Sequence, residues 1–363
     1  MATKSLTALF TVGKFLTITP PFNSQVSLFQ KVHTFIFVTT ITTIVVATNI
    51  NREYYHDYIY VKIAVDISTD VTLLLFSCYT PVTVILWKKD EWKKLMELLG
   101  VIVSTAKNIS KINRVVKISF ARIVAGLGIL TCEYIFWSRV NGFYYYIKRF
   151  NVHYVEYYLV YTFNVFLSLI LNILLTHYEY LNNILREQIN SKLVCMNKLL
   201  NSLRDIESDL FLLKDTTEII NDVFGWSLAL SISYTTLYIL NNFDFIFVAS
   251  SNPDDIIAQR VIADTVLVLL IFSSTVAVII TCDLILKEAE SMLLKSYMLT
   301  RKTQNLSIKD EKELKRFSER ILQNFPKFSA ARFFNIDRST ILSILWTVVT
   351  FFIVIVQFYS CTN

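Results

Sequence analysis

Residues 260–286 read RVIADTVLVLLIFSSTVAVIITCDLIL. Between Asp264 and Asp283 run 18 residues with no charge, no Gly and no Pro. About 20 mostly apolar residues are needed to cross a bilayer as a helix, so this stretch is a candidate span. Six more stretches have the same character: 31–49, 61–87, 118–138, 154–178, 222–249 and 339–359. The second is the most polar, because it carries Asp66 and Asp70.

Composition agrees. The 363 residues are 54% hydrophobic, with a mean hydropathy of +0.48. Gly (6) and Pro (5) are scarce, whereas Phe (27) and Tyr (19) are abundant. A backbone in lipid must satisfy its polar groups within the segment, which selects helices or closed barrels. A barrel needs short alternating segments with frequent turn residues, and neither is present. The expectation is an all-α integral membrane protein with seven spans. Residues 1–30 lack an apolar core with a small-residue cleavage site, so no cleaved signal peptide is expected.

Lys and Arg set the orientation. The tail through Lys31 holds 3, the loop from Lys88 to Lys117 holds 8, the segment after the fourth span 5, and the segment from Lys287 to Arg338 12. The opposite side holds Arg52, Lys62, Arg139, Lys148, Arg149 and Arg260, a split of 28 to 6, with Arg122 inside a span. The richer side is cytoplasmic by the positive-inside rule. The N-terminus is then inside and the C-terminus outside, the reverse of a G-protein-coupled receptor. The net charge of +6 reflects topology, and no nucleic-acid partner is implied.

The division expected is 1–30, a cytoplasmic N-terminal segment; 31–286, six spans forming a bundle; 287–338, a cytoplasmic segment; and 339–363, the last span. Residues 179–216 run without Pro or Gly, with Leu185, Ile189, Leu193, Met196, Leu199, Leu203, Ile206 and Leu210 at helical spacing. Spans 4 and 5 are therefore expected to continue as cytoplasmic rods. Residues 307–325 form a second element, opened by Ser307 and Asp310 as a capping box and closed before Pro326. Its apolar stripe is Leu314, Phe317, Ile321 and Phe325, with Glu311 and Lys315 as an i,i+4 pair. It is either a linker packing on its own subunit or an assembly helix meeting others.

No constellation for catalysis, metal or cofactor stands out. Cys78, Cys132, Cys195, Cys282 and Cys361 are odd in number and not at metal spacing, and His33, His56, His153 and His177 are dispersed. The sequons at Asn108 and Asn305 fall on the cytoplasmic side. No enzyme is expected.

The ionisable and aromatic residues at the outer ends of the spans are the candidates for ligand binding, because polar groups in lipid are costly. They are Asp66 and Asp70 four apart, Glu133 and Trp137 four apart, Tyr157 and Tyr161, Tyr238 and Asn241, and Asp264. Tyr154, Tyr158, Asn164 and Tyr234 accompany them. Such a set suits a polar or amphipathic small molecule. The competing reading is an aromatic belt at the interface, with Asp264 paired to Arg260.

The last span has one polar stripe. Ser343, Thr347, Thr350, Val354, Gln357 and Cys361 follow at 4, 3, 4, 3 and 4. Small polar residues let helices approach one another in lipid. Alternatively, copies of this helix line a pore, with Val354 as an apolar constriction and Gln357 beside it.

Thr350-Phe351, five apolar residues 352–356 and Gln357-Phe358 resemble the signature of insect gustatory receptors, Thr-Tyr, five hydrophobics, Gln-Phe. Phe351 stands where Tyr is usual. Ser329 to Ser339 resembles the segment leading into the last span of that family. The resemblance implies a ligand-gated, non-selective cation channel opened by a small-molecule tastant, with monovalent and divalent cations as permeant ions. It implies a homotetramer, alone or with other receptor subunits, in the plasma membrane of a sensory neuron dendrite. The pore residues would be Thr347, Thr350, Val354 and Gln357, and residues 307–325 would anchor subunits together. Nothing points to the sugar or carbon-dioxide groups, and a bitter-type tastant from plants is expected. An odorant-receptor-type subunit and a membrane transporter are the alternatives. A transporter fits less well, since spans 4, 6 and 7 contain neither Gly nor Pro.

Overall fold

The computed structural model describes residues 10, 11, 13, 14, 16–19, 27–50, 60–105, 109–190, 196–250, 255–302 and 308–362. Ser307, Asn108, Asn305, Arg52, His56 and Cys195 lie outside the described residues, as do the side chains of Arg260 and Cys361.

Six of the seven expected spans fall inside one helix each, and 61–87 runs from a helix into the π turn that follows it. The helices are α1 (Leu28–Ile50), α2 (Tyr60–Val82), α4 (Ile109–Asn141), α5 (Phe143–Asn190), α6 (Met196–Ser250), α7 (Asp255–Lys302) and α9 (Arg338–Thr362). Two further helices, α3 (Lys89–Thr105) and α8 (Ile308–Gln323), lie between them in sequence. Six of these helices are long and apolar enough to cross a membrane within the described side chains, and α9 is apolar over Arg338–Val354. The chain is a multi-pass membrane protein.

Burial sorts the helices. The apolar stretch of α5 is 89% buried and that of α1 only 22%. Helix α5 is the axis, with α7, α4, α2, α3 and α1 packed on it. Large apolar side chains such as Phe35, Leu127 and Leu269 are exposed, as a lipid-facing surface requires.

Helices α5, α6 and α7 hold 48, 55 and 48 residues. At ~1.5 Å per residue each is more than twice as long as a ~30 Å hydrocarbon core is thick. All three therefore extend beyond the membrane at the end rich in Lys and Arg, here the basic end. The Pro- and Gly-free run 179–216 is shared between the end of α5 and the start of α6, with Leu185, Leu199, Leu203, Ile206 and Leu210 buried.

Pro81 cannot donate to the carbonyl four residues before it, and the helix answers with a π turn over Thr83–Trp87. There the Lys88 N–H donates to the Thr83 carbonyl at 2.7 Å. The segment after it, a basic loop by its charge, is instead α3. Trp92, Leu95, Met96, Leu99, Ile102 and Val103 form its buried face. Phe10 of the N-terminal segment packs edge-on to Trp92, with ring centres 6.1 Å apart.

Helix α8 buries Leu314, Phe317 and Ile321 against α7 and α6 of the same chain. The expected Glu311–Lys315 pair is replaced, among the described residues, by Arg316–Glu313 at 2.9 Å. Arg320 reaches across to Glu207 on α6.

The all-α expectation has one small exception. Ser329–Ala330 (β1) pairs antiparallel with Phe334–Asn335 (β2). Ala331 and Arg332 take left-handed backbone (φ 52° and 63°) in its turn. The hairpin lies on α6. Asn221 Nδ2 donates to the Lys327 carbonyl at 2.6 Å, and the Ser329 N–H donates to Asn221 Oδ1 at 3.1 Å. Arg332 pairs with Asp222 at 3.2 Å, and Phe333 sits edge-on to Trp226. Gly225 permits this contact, since a Cβ there would lie 3.0 Å from the Ala331 nitrogen.

Candidate functional site

Two places concentrate polar groups that the fold does not need. The first lies among α2, α4, α5, α6 and α7, at the end opposite the basic one. Its centre is three tyrosines. The ring centres of Tyr157 and Tyr238 are 5.3 Å apart, of Tyr234 and Tyr238 5.5 Å, and of Tyr157 and Tyr234 6.2 Å. Tyr157 and Tyr238 belong to the set expected from sequence. The i,i+4 spacing of Tyr234 and Tyr238 on α6 stacks those two, and α5 brings in Tyr157.

Acids flank the trio on two sides. Glu133 on α4 and Asp264 on α7 lie in electrostatic range of each other and of Tyr238. Trp137 hydrogen-bonds to Glu133 one turn away, as their spacing suggests. Glu133 is buried, yet its Oε2 has no hydrogen-bond partner among the described residues. On the other side, Asp70 of α2 lies within range of Glu156 and Tyr234. Glu156 is 1% exposed and lies within reach of Ser77. His153 Nδ1 stands 3.4 Å from Glu156 Oε2, one turn back on α5.

Glu133 also lines an open groove of about 530 Å³ between α4 and α7, with Gly128, Cys132, Phe136, Ala263 and Val266 as apolar walls. Those two helices lean on α5 more than on each other, which leaves the gap.

The remaining expected residues sit differently. Asp66 and Asn241 are half-buried, one turn from Asp70 and just beyond Tyr238. Tyr161 is turned to α4. Its hydroxyl donates to the Arg122 carbonyl at 2.8 Å, and its ring fills the space left by Gly126, where a Cβ would meet it at 2.2 Å. Asn164 belongs to a buried knot below the trio. Its Nδ2 donates to Ser274 Oγ at 3.2 Å and Thr275 Oγ1 at 3.1 Å, and Ser231 Oγ donates to its Oδ1 at 3.0 Å. Glu156 and His153 lie outside the ligand set expected from sequence. Their signal was an acid and a His at i,i+3 inside a run of tyrosines.

The second place is α9, which has three faces. Thr340, Ile344 and Val348 are buried, with Ile341, Phe351 and Phe352 half-buried, against α6 and α7. The second face is apolar and exposed, with Leu342, Trp346, Val349 and Ile353. The third is the polar stripe: Ser343, Thr347, Thr350 and Gln357 are exposed and Val354 is half-buried. The chain's own bundle leaves this stripe largely uncovered. Ser343 and Thr347 donate back to the carbonyls of Ser339 and Ser343 at 3.0 and 2.8 Å, so their hydroxyls need no partner helix.

The foot of α9 is held firmly. Asp337 Oδ1 accepts from the Ser339 N–H at 2.8 Å as an N-cap. Asp283 on α7 meets Arg338 at 2.6 Å and Lys287 at 2.9 Å.

The sequence profile described as "7tm Chemosensory receptor" matches residues 6–360. The solved structure of the insect olfactory receptor OR5 from Machilis hrabei superposes with a TM-score of 0.71 at 13% identity, covering 98% of each chain. The same receptor in complex with eugenol gives 0.70 at 16% identity, covering 98% of this chain and 99% of that one. At such identities the likeness is one of fold. No curated protein matches the chain.

Proposed function

The chain belongs to the 7tm chemosensory receptor family, and on that footing we propose that it is a ligand-gated, non-selective cation channel of the gustatory type. It crosses the plasma membrane of a sensory neuron seven times, with the N-terminus inside and the C-terminus outside. Four copies surround one pore lined by α9. A small tastant, plant-derived and bitter in type, enters from outside and reaches the tyrosine trio and its acids.

One observation carries this reading: the polar stripe of α9 is left largely exposed by the chain's own helices. A stripe of small hydroxyls and a Gln exposed to lipid in a monomer would have no advantage over Leu or Val. Turned toward three copies of itself, it lines a water-filled path. The exposed Leu342, Trp346, Val349 and Ile353 beside it would then meet the neighbouring subunit. Helix α8 spends its apolar stripe on its own chain, so its anchoring role falls to its outer surface, where Leu322 is exposed.

A relative of the same fold is recorded in complex with eugenol, which supports a small-molecule ligand here. The gustatory assignment rests on Thr350, Gln357 and Phe358; the odorant-receptor type shares the fold and differs in this ending. The test is current evoked by plant extracts and purified tastants in cells expressing this chain alone, with particle images of the purified protein. Four-fold particles and a ligand-evoked cation current support the proposal. Monomeric particles without current overturn it.

A further inference from the structure

The groove between α4 and α7 opens on a surface made for lipid. Leu127 and Ile135 are exposed on that stretch of α4, and Ile262, Val266 and Leu269 on that stretch of α7. Glu133 stands six residues before Arg139, so about 9 Å inside the span. A molecule that reaches the groove at this depth comes through the half of the bilayer at this end, which takes up apolar compounds from water. The gap measures about 530 Å³, within the range of small-molecule sites. Gly128 and Ala263 keep its walls low.

One polar group interrupts the apolar lining. Glu133 is 7% exposed and lines the groove, and its Oε2 has no hydrogen-bond partner among the described residues. Trp137, one turn away on the same helix, serves the same carboxyl but leaves that oxygen unpaired. A buried carboxyl oxygen without a partner is costly in either protonation state. An ionised carboxylate accepts hydrogen bonds, and a protonated one accepts at one oxygen and donates from the other. A hydroxyl both donates and accepts, so it fits Glu133 in both states. A pure hydrocarbon or a lipid chain in the groove would leave Oε2 unpaired. A sugar would bring many hydroxyls to walls such as Cys132, Phe136 and Val266, which pair few of them.

We propose that the groove takes neutral, lipophilic alcohols and phenols, which enter from the bilayer between α4 and α7. The hydroxyl pairs with Glu133, and the hydrocarbon body lies against Gly128, Phe136 and Val266. This names a ligand class for the end of the bundle read above as the ligand site, and it rests on that reading. Tyr238 is in electrostatic range of Glu133, so a molecule seated there adjoins the tyrosine trio.

The test is photolabelling of the full chain in phosphatidylcholine nanodiscs. The probe is a phenol with an alkyl diazirine para to its hydroxyl, and labelled peptides are mapped by mass spectrometry. Label should fall on 125–136 and 263–266 and should saturate. The competitors are 4-propylphenol and its methyl twin 4-propyltoluene, compared at equal concentration in the bilayer. The phenol should compete at concentrations at least about fivefold lower. Glu133→Leu should erase that difference, whereas Glu133→Gln, whose amide also donates and accepts, should keep it. Gly128→Trp should block labelling; a Cβ there meets nothing within 4 Å, so the indole can fill the groove without a backbone clash. Thermal midpoints report whether the variants fold, and the comparison of twins on the native chain needs none of them. Equal competition by the twins, or a difference that persists in Glu133→Leu, overturns the proposal. So does label that spreads over the lipid-facing surface without saturating, the mark of partition into the bilayer alone. Saturable label on the peptides of Tyr157, Tyr234 and Tyr238 instead of the groove overturns the groove and leaves this end as the ligand site. Saturable label confined to the basic end removes both.

Discussion

Arg338 Nε lies 2.6 Å from Asp283 Oδ2, so the first residue of α9 is tied to α7. Helix α7 also carries Asp264, near the tyrosine trio, about 28 Å away along a continuous helix. If the trio is the ligand site, a shift of α7 there would reach the foot of α9 through this pair. Asp283 is largely buried while Arg338 is more than half exposed, so screening lowers the worth of the pair.

We expect Asp283→Asn to lower stability by about 1–2 kcal/mol, less than the loss of a fully buried partner. Arg338→Gln should cost less, since Lys287 still meets Asp283. The double variant should show coupling of at least ~0.5 kcal/mol in thermal unfolding. Strictly additive losses would mean that the two residues do not act as a pair.

The hairpin between α8 and α9 stores strain. Ala331 and Arg332 sit in left-handed backbone, at a cost of roughly 1–2 kcal/mol each for residues with a side chain. Ala331→Gly should therefore raise the unfolding midpoint, by about 1 kcal/mol of stability. Gly225→Ala should lower it, because the added Cβ would press on the Ala331 backbone nitrogen. Opposite signs in one thermal-shift series test the docking of this hairpin on α6. A neutral Gly225→Ala would show that the contact gives way freely.

Asn164 joins α5 to α6 and α7 through Ser231, Ser274 and Thr275. Interhelical hydrogen bonds in lipid average ~0.6 kcal/mol, so Asn164→Leu should cost about 1–2 kcal/mol. Because the knot lies below the trio, surface expression and thermal midpoint should fall while the rank order of ligands stays the same. A changed rank order would move Asn164 into the ligand site.

The spans and the α9 stripe were legible because lipid enforces long apolar runs and helices enforce a 3.6 period. The hairpin was not, since Ala331 and Arg332 are poor turn signals where Asn or Gly is usual. Helix α3 was hidden by its charge, although Trp92, Leu95, Leu99 and Ile102 keep helical spacing. In the site, pairs on one helix were readable: Glu133 with Trp137, and Tyr234 with Tyr238. What one helix presents to another was not. The meeting of Asp70 with Glu156 depends on how α2 and α5 pack, and so does the turning away of Tyr161 toward Gly126.

Val354 and Gln357 are the sharpest test of the pore. They are three residues apart on the face that holds Ser343, Thr347 and Thr350, and most of this face is exposed. The face that packs on α6 and α7 is a different one, with Ile344 and Val348. If α9 served only to pack within its own chain, Val354→Ser would be nearly silent, since a half-buried side chain contributes little there. As a pore constriction, four copies of Val354 make an apolar ring that water leaves easily and that conducts nothing when narrow. Val354→Ser should wet that ring and raise the current in the absence of ligand. Gln357, one turn toward the C-terminus, would offer amides that replace part of an ion's hydration shell. Gln357→Ala should change the relative permeability of sodium, potassium and calcium with little change in the concentration of ligand that half-activates. Ile344→Ser, on the packing face, should instead lower surface expression, at a cost of about 2–3 kcal/mol for a buried apolar side chain. Whole-cell recording of the three variants separates the faces. Unchanged basal current and unchanged permeability ratios in the first two, with normal expression and ligand response, would remove this face of α9 from the pore.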